Sequence, residues 1–183
     1  MIIGINAVNI KSGGGISHIE NILVNLTKEI LEKEKVDKII VWSSPTLYYN
    51  LSKIKLLKNI VFVKINDNLL YNILWKFIFL YVNLKKYRCD VLFSLDGIIL
   101  RKFKKNIILF QNLLPFSNYE ILRYGLSYQT FKLIFLRFIY YLSQRNADGV
   151  IYLNKYGRSK IQNYLGKKKK SNNWTWSVKG LLF

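Results

Sequence analysis

The sequence is poor in the residues that build metal centres and disulfide frameworks. Cys89 is the only cysteine and His18 the only histidine among 183 residues. A single cysteine excludes a disulfide framework and a cysteine zinc site, and no serine–histidine–aspartate or metal-spaced pattern is present. We therefore predict no bound metal. Cys89 precedes an apolar run, where a small, half-buried side chain is expected rather than a reactive thiol.

Acidic residues are also scarce. Ten Asp and Glu residues stand against 29 Lys and Arg residues, so the formal net charge is +19 at pH 7. Residues 167–183 hold five of these bases and no acid, which leaves +14 on the rest of the chain. Such a surface attracts nucleic acid, anionic lipid and anionic substrates alike, so charge alone does not choose among them.

Neither a signal peptide nor a transmembrane helix is predicted. The N-terminus reads as a strand, without a basic n-region or a cleavage site. The most apolar stretch, Leu69–Leu84, has 16 residues and contains Asn72, Lys76 and Asn83, whereas a span needs roughly 20 mostly apolar residues. We expect a buried crossover helix, or one resting on a membrane surface. These features predict a cytoplasmic, reducing location.

Met1–Leu26 reads as the opening unit of a doubly wound α/β domain. An apolar strand is followed by the loop Gly13-Gly14-Gly15 and then by an amphipathic helix, which Ser17-His18-Ile19-Glu20 would start as a capping box. The loop is neither a G-x-G-x-x-G fingerprint nor a Walker loop. Glycines at a helix start let a ligand approach unpaired N–H groups; a plain flexible turn is the alternative. The apolar positions at helical spacing are Ile19, Ile22, Leu23, Leu26 and Ile30.

Strands and helices alternate along the rest of the chain. We predict strands at 38–42, 60–65, 90–97, 106–110 and 149–153, a helix at about 124–145, and a last helix capped by Asn154 and ending near Gly166. The pattern predicts an α/β fold: a Rossmann-like, doubly wound, mainly parallel sheet with helices on both faces, formed by residues 1–166. The 124–145 helix has an apolar stripe of Phe131, Ile134, Phe135, Phe138, Ile139 and Leu142.

Several polar residues lie where such folds bind ligands. Asp96, Gln111 and Asn112 end strands at the carboxyl edge of the predicted sheet, although turn and capping roles are the alternative. His18, beside the glycines, is a further candidate for a ligand contact; a solvated or capping histidine is the alternative. Asp148 opens a strand at the opposite edge, and we interpret it as structural.

Taken together, these segments resemble the N-terminal domain of family 4 glycosyltransferases, which have the GT-B fold. The resemblance covers about residues 1–166. Many members carry His-Asp where this chain has Gln111-Asn112, and Ser where it has Asn154. The segments that carry the resemblance are Gly13-Gly14-Gly15 with its helix, Gln111-Asn112-Leu113-Leu114-Pro115-Phe116 followed by Arg123-Tyr124-Gly125, and Ala147–Asn154 leading into Tyr156, Arg158 and Ser159.

The resemblance implies a retaining sugar transfer from a nucleotide-sugar co-substrate to a saccharide or lipid-linked acceptor of a bacterial surface polysaccharide or lipopolysaccharide. No metal is obligatory in the family, and its N-terminal domain mostly binds the acceptor. By resemblance, Gly13, Gly14 and Gly15 approach the donor phosphates. The family's donor site, a basic pair and a Glu-x7-Glu motif, lies in a second domain that this sequence lacks. We therefore expect the chain alone to be inactive, and the catalytic residues stay unassigned.

Residues 167–183 depart from the preceding pattern. Lys167–Lys170 form a homopolymer run, and two tryptophans follow without amphipathic spacing. Lysine codons make such a tract prone to insertion or deletion. Advanced by one nucleotide, the codons of residues 172–177 give Gly-x-Gly, similar to the family's entry into its second domain. We interpret the tail as disordered or non-native, in a truncated or frameshifted glycosyltransferase; a genuine basic tail is the alternative.

A second class of function stays open. The chain could be a non-catalytic basic protein that binds an anionic membrane or nucleic acid. No recognition-helix, RNP or zinc-finger pattern supports specific nucleic-acid binding. The basic, aromatic-rich composition suits a peripheral position on the inner face of the plasma membrane. A self-contained nucleotide-binding Rossmann protein is a third reading, without the dinucleotide fingerprint that usually marks one.

Overall fold

A computed structural model describes residues 1–11, 13–54, 57–66, 71 and 74–166, together with the backbone of Asn172–Thr175. It shows an α/β fold with a six-stranded, all-parallel sheet and interleaved helices, which is Rossmann-like and confirms the predicted fold class. The strands lie in the order β3-β2-β1-β4-β5-β6. Their bounds are β1 Ile2–Ala7, β2 Lys38–Ser43, β3 Ile60–Lys64, β4 Val91–Ser94, β5 Lys105–Phe110 and β6 Gly149–Tyr152.

Seven α-helices are described between and after these strands. A π-helical turn, Trp75–Phe79, leads directly into the fourth, and a 3-10 turn, Leu114–Phe116, precedes the fifth. The chain divides into two compact units: Met1–Leu95 with Phe103–Lys105, and Asp96–Lys102 with Asn106–Phe183. The helices are α1 Gly14–Val24, α2 Lys28–Lys33, α3 Pro45–Ser52, α4 Leu80–Lys86, α5 Asn118–Arg123, α6 Tyr128–Asn146 and α7 Lys155–Leu165.

The first unit is packed around the centre of β1. β1 pairs in parallel with β2 on one side and β4 on the other. A Cβ atom added to Gly4 would lie 2.8 Å from Trp42 Cζ3 and 2.9 Å from Leu84 Cδ2, so only glycine lets these two buried side chains approach the strand. Trp42 also contacts Trp75, with ring centroids 6.2 Å apart. Close packing therefore fixes glycine at this position.

Aromatic rings form the core of the second unit. Phe110, at the end of β5, contacts Phe116 and Tyr140 edge to face, with centroid distances of 6.0 and 5.3 Å. Tyr152, at the end of β6, stacks on Phe110 at 5.9 Å. All four side chains are buried. Such ring pairs contribute about 0.5–1.5 kcal/mol beyond the area they bury, so the cluster anchors α6 on this part of the sheet.

Two carboxylates bind the backbone where strands begin. Asp90 accepts a hydrogen bond from Ile2 N at 2.9 Å and lies 3.0 Å from Lys104 Nζ. In the second unit, Asp148 accepts from Asn106 N at 2.9 Å. Each carboxylate satisfies a donor that the sheet leaves unpaired. Asp148 thus has the structural contact that its place before a strand predicted.

The start of α1 differs from the prediction. The helix begins at Gly14, three residues before Ser17, and its N-cap is Gly13, with φ of 64° and no side-chain cap. The predicted capping box is therefore wrong, because Ser17 and Glu20 already lie inside the helix. The helix also ends at Val24 instead of continuing to Ile30, which belongs to α2. The buried residues Ile19, Ile22 and Leu23 do follow the predicted spacing.

The face that α6 buries also differs from the prediction. The predicted stripe contains Phe131, Phe135 and Phe138, which are 65%, 62% and 55% exposed. The opposite face packs inward instead, with Thr130, Leu133, Tyr140, Ser143 and Gln144 buried. The helical periodicity of the sequence separates two faces of α6, and the more apolar face is the one in solvent. The prediction of the buried face from hydrophobicity alone was therefore wrong.

The apolar stretch 69–84 is only partly as predicted. Within its described part, Trp75, Leu80, Tyr81 and Leu84 are buried, which agrees with a crossover helix on the sheet. Leu69 and Leu70 lie outside the described residues. Other apolar side chains on this segment face solvent: Leu74, Phe77, Ile78 and Val82. In the described part of the chain, no helix combines the length and the apolar character that crossing a bilayer requires.

Cys89 is more deeply placed than predicted. It is fully buried rather than half-buried, and burial, with a smaller effect of the Asp90 carboxylate, raises the pKa of its thiol to about 11. The predicted tail falls mostly outside the described residues. Within it, the backbone of Asn172–Thr175 adds a seventh strand, β7, beside the six strands above, parallel to β6 with Asn173 opposite Val150. The interpretation of the tail as disordered or non-native stays a prediction.

Candidate functional site

The loop that begins the second unit places Asp96 in a tight turn. Asp96 follows β4 by two residues, and its Oδ1 accepts a hydrogen bond from Ile98 N at 3.2 Å. Gly97 has φ of 73°, and a Cβ on it would lie 3.2–3.3 Å from Leu109 O, Phe110 and Tyr140. Only glycine fits this turn easily. The turn chemistry considered for Asp96 is therefore present, and it holds the carboxylate beside α6.

Gln111 and Asn112 directly follow β5, as predicted. Asn112 Oδ1 accepts from Leu114 N at 3.0 Å, which starts the 3-10 turn at Leu114–Phe116. Gln111 is half-buried, and its Nε2 is enclosed with no hydrogen-bond partner among the described residues. An enclosed amide donor without a partner costs about 1–3 kcal/mol.

Tyr140 joins these residues and was not among the predicted site residues. Its hydroxyl interacts with the side chain of Asn112, and burial, together with the Asp96 carboxylate, holds the pKa of Tyr140 far above its usual range. The hydroxyl therefore stays protonated at neutral pH. A sequence signal existed in the seven-residue spacing of Leu133, Tyr140 and Ala147, all buried, but the aromatic stripe on the other face was stronger.

A groove opens beside this loop. Its volume is about 470 Å³. The side chains around it combine amides, a carboxylate, an ammonium group and an aromatic ring. Lys160 Nζ lies 3.3 Å from Tyr156 Oη and over the ring of the same tyrosine, at 5.6 Å from its centroid. The lining residues are Gln111, Asn112, Leu113, Leu114, Ser117, Glu120, Tyr156 and Lys160.

Arg137 fixes the wall of this groove from α6. Its Nε donates to Pro115 O at 2.6 Å and its Nη2 donates to Asn118 Oδ1 at 3.1 Å. The guanidinium group also lies over the ring of Tyr164, 4.5 Å from the centroid. A planar guanidinium can hold several partners in one geometry. The backbone of the 3-10 turn is therefore held on α6 as well as on the sheet.

The glycine loop belongs to the first unit. Gly13 and Gly14 are exposed, and a Cβ on either would meet nothing within 4 Å. The N-cap of α1 is a glycine, which has no side chain to accept from the first N–H groups, and N–H groups at a helix start can bind an anion. His18 lies one turn inside α1, not at its start. It is half-buried, and burial lowers its pKa, which favours the neutral ring over a cation.

The first unit has a further polar residue that sequence reasoning missed. Asn6, on β1, is fully buried and lies opposite Ser94 of β4, with 3.5 Å between Asn6 Nδ2 and Ser94 Oγ. Asn6 Oδ1 has no hydrogen-bond partner within the described part of the chain. β1 and β4 are the strands between which the order reverses, where open α/β sheets bind ligands. A lone asparagine in an apolar strand was the available signal.

The structure thus groups the predicted site residues in two sets. Asp96 and Asn112 come together around Tyr140 in the second unit, with Gln111 next to Asn112 in the groove lining. Gly13, Gly14 and Gly15 form the start of α1 in the first unit, and His18 lies one turn inside that helix. Among the residues described, no group of three or more His, Cys, Asp or Glu side chains is placed to hold a metal ion.

Comparison with protein-family models and with curated proteins finds no match to this chain. Of the segments that carry the resemblance, residues 111–114 line the groove, and the glycine loop leads into α1 through the N-cap Gly13. Both are surfaces that a ligand can reach.

Proposed function

We propose that this chain is the acceptor-side domain of a retaining glycosyltransferase of family 4. The proposed reaction moves a sugar from a nucleotide-sugar to an acceptor of a bacterial surface polysaccharide or lipopolysaccharide. The observation that carries the proposal is the groove of the second unit, whose lining combines buried amide chemistry at Gln111 with the exposed ring of Tyr156. The Rossmann-like fold agrees with it but is shared by many functions.

The groove has the chemistry that a saccharide needs. A sugar presents hydroxyl groups, each of which donates and accepts, around an apolar ring face. Gln111 and Asn112 line the groove with amide side chains, Lys160 Nζ is a donor and Glu120 supplies acceptor oxygens. Tyr156, 65% exposed, supplies an aromatic surface. A few fixed polar groups around an apolar surface are typical of small-molecule sites. Under this proposal the described residues bind and orient the acceptor.

The proposed role of Gly13 and Gly14 is an approach to donor phosphates. Their exposed backbone, with open space where Cβ atoms would stand, lets an anion reach the N-terminus of an 11-residue helix. The helix dipole favours negative charge there. Burial lowers the pKa of His18, which favours its neutral ring over a cation. Phosphate binding in this region is therefore assigned to the backbone.

Saturation-transfer NMR with simple saccharides tests the acceptor site. The probes are methyl glycosides of glucose, galactose and N-acetylglucosamine and their disaccharides, with the intact chain. We expect weak but specific binding that falls at least fivefold in Gln111→Ala and in Tyr156→Ala. Tyr49→Ala, which removes a similarly exposed tyrosine at 62%, is the matched control and should change nothing. Binding that ignores both groove variants, or no binding by any probe, would contradict the proposal.

Gly14→Glu tests the phosphate assignment without disturbing the fold. A side chain at Gly14 meets no neighbour within 4 Å, and a carboxylate in the first turn stabilises a helix. The same carboxylate repels a diphosphate. In titrations with uridine diphosphate and guanosine diphosphate, we expect the native chain to bind at least one nucleotide. The variant should bind that nucleotide at least fivefold more weakly, with an unfolding midpoint that does not fall. Equal affinities would remove the glycine loop from the proposed site.

A further inference from the structure

The second unit exposes a continuous series of apolar side chains along α5, the following turn and α6. We call this the α5–α6 surface. Leu126 is 97% exposed, Leu122 is 77% exposed and Phe131 is 65% exposed. Large apolar side chains scattered singly on a surface are ordinary, but a contiguous set marks a site of interaction. Its members are Tyr119, Leu122, Tyr124, Leu126, Tyr128, Phe131, Ile134, Phe135, Phe138 and Tyr141.

α6 differs from an ordinary surface helix, because polar side chains lie on its buried side and large apolar side chains lie on its exposed side. The buried side includes Thr130, Ser143 and Gln144. Ser143 Oγ donates to Ile139 O and accepts from Ile99 N, at 2.8 and 3.0 Å, so these polar groups are fixed inside. The exposed side carries three phenylalanines at i, i+4 and i+7, starting from Phe131. That spacing forms one stripe along a helix, and packing onto the sheet does not cover it.

The charges next to this stripe have one sign. From Asn118 to Asn146 the sequence holds four bases and a single acid, Glu120. Glu120 is neutralised locally, because its Oε2 lies 3.7 Å from Arg123 Nη1. Lys132 borders the stripe, and Arg145 lies at its C-terminal end, 5.8 Å from the ring of Tyr141. A partner for this surface must therefore accept both apolar side chains and positive charge.

An anionic bilayer fits both requirements. Phenylalanine and leucine side chains enter the boundary between headgroups and acyl chains, and tyrosine, lysine and arginine stay at headgroup level. Each base near an anionic surface contributes about fivefold to binding. A second copy of this chain fits poorly, because two proteins of formal charge +19 would meet with their bases at the interface. Single-stranded nucleic acid would stack its bases on the aromatic rings but would leave the aliphatic side chains of Leu122, Leu126 and Ile134 without an apolar contact.

We propose that the α5–α6 surface docks this protein on an anionic lipid bilayer, with α6 lying in the plane of the interface. The proposal does not rest on the transferase function, because vesicle binding involves no sugar and no nucleotide. It identifies the docking residues as the stripe Phe131, Phe135 and Phe138 and the bases Lys132 and Arg145.

Co-sedimentation with vesicles tests this proposal on the full chain. The vesicles contain phosphatidylcholine alone or phosphatidylcholine mixed with phosphatidylglycerol. We expect tight binding only to the mixed vesicles. The double variant Phe135→Ser, Phe138→Ser should bind them at least tenfold more weakly. Its matched control is Val24→Ser, Tyr49→Ser, which removes side chains of equal exposure, 54% and 62%, from the first unit and should bind normally.

The contrary results are equally specific. Loss of binding in the control pair and not in the phenylalanine pair would overturn the proposal. The double variant Phe77→Ser, Val82→Ser changes two exposed apolar residues of the first unit. Loss of vesicle binding in this variant, while the phenylalanine double variant binds normally, would also overturn the proposal. Light scattering measures self-association. If the native chain is a dimer and the phenylalanine double variant is a monomer that binds vesicles normally, the partner of this surface is a second copy of the chain and not a bilayer. The charge pair Lys132→Glu, Arg145→Glu should lose at least tenfold on mixed vesicles.

Discussion

Gly97 lies directly against the ring of Tyr140, and a Cβ on Gly97 would stand 3.3 Å from Tyr140 Cε1. The glycine also has φ of 73°, which ordinary residues rarely adopt. One residue of the turn after β4 thus sets how closely α6 approaches the site. Asp96 precedes this glycine, and Asn112 interacts with the same tyrosine. The contact between Gly97 and Tyr140 therefore positions Asp96, Asn112 and Tyr140 together.

We predict that Gly97→Ala destabilises the protein in two ways. The positive φ costs about 1–2 kcal/mol, and the new methyl group adds roughly 1–3 kcal/mol of overpacking against Leu109 O, Phe110 and Tyr140. Gly125→Ala is the control, since Gly125 has φ of 54° but open space around it. Urea unfolding should show the larger loss for Gly97→Ala. Equal losses in the two variants would mean that the packing contact contributes nothing.

Tyr140→Phe separates the hydroxyl of Tyr140 from its ring. The ring contacts Phe110 and Phe116 at 5.3 and 5.6 Å between centroids and remains in the variant. We expect a loss of about 1 kcal/mol, the worth of the hydrogen bond with Asn112, and weaker saccharide binding. Tyr140→Ala should cost about 3–5 kcal/mol, because it leaves a cavity in the aromatic core. Both losses are measured as changes in the free energy of unfolding. Similar losses in the two variants would contradict the prediction that the ring contributes more than the hydroxyl group.

Cys89 should be inert in the native protein. Burial raises the pKa of its thiol to about 11, so almost no thiolate is present at pH 8, and the sulfur is enclosed. Labelling with Ellman's reagent at pH 8 should be slow in buffer and fast in concentrated urea, where the one thiol of the chain reacts completely. Rapid stoichiometric labelling in buffer would show that the surrounding helix–strand connection opens readily.

Asp90 should make the stability of the protein depend on acid pH. The hydrogen bond from Ile2 N, and then the contact with Lys104, lower the pKa of Asp90. A lowered pKa stabilises the fold above the unfolded value of about 3.9, and this contribution is lost as the pH falls through the lower folded value. Asp90→Asn should therefore be less stable than the native chain at pH 6, and the gap should close below about pH 4. Lys104→Gln should show a smaller gap, since Ile2 N is the main cause. Urea midpoints measured from pH 3 to 7 give the comparison, and a gap that does not change with pH would contradict the prediction.

The predicted site residues were located by their places in the chain, not by their contacts. Asp96, Gln111 and Asn112 could be found because polar residues directly after apolar runs mark strand ends. Tyr140 could not be found, because it lies on a helix whose opposite face carries the stronger apolar signal. Asn6 was missed because its burial follows from the pairing of β1 with β4, residues 88 apart in sequence.

The sequence by itself determined the strands, the alternation with helices and the cap at Asn154, which accepts from Gly157 N at 2.6 Å. These are local properties, set by side-chain spacing and by groups three or four residues apart. Only the tertiary structure decided where α1 begins, how deeply Cys89 is buried and which face of α6 packs on the sheet. The more apolar face of α6 is the exposed one, so hydrophobicity alone indicated the wrong face. The choice followed from the fit of Tyr140 against Gly97, Phe110 and Phe116, and it left Phe131, Phe135 and Phe138 in solvent.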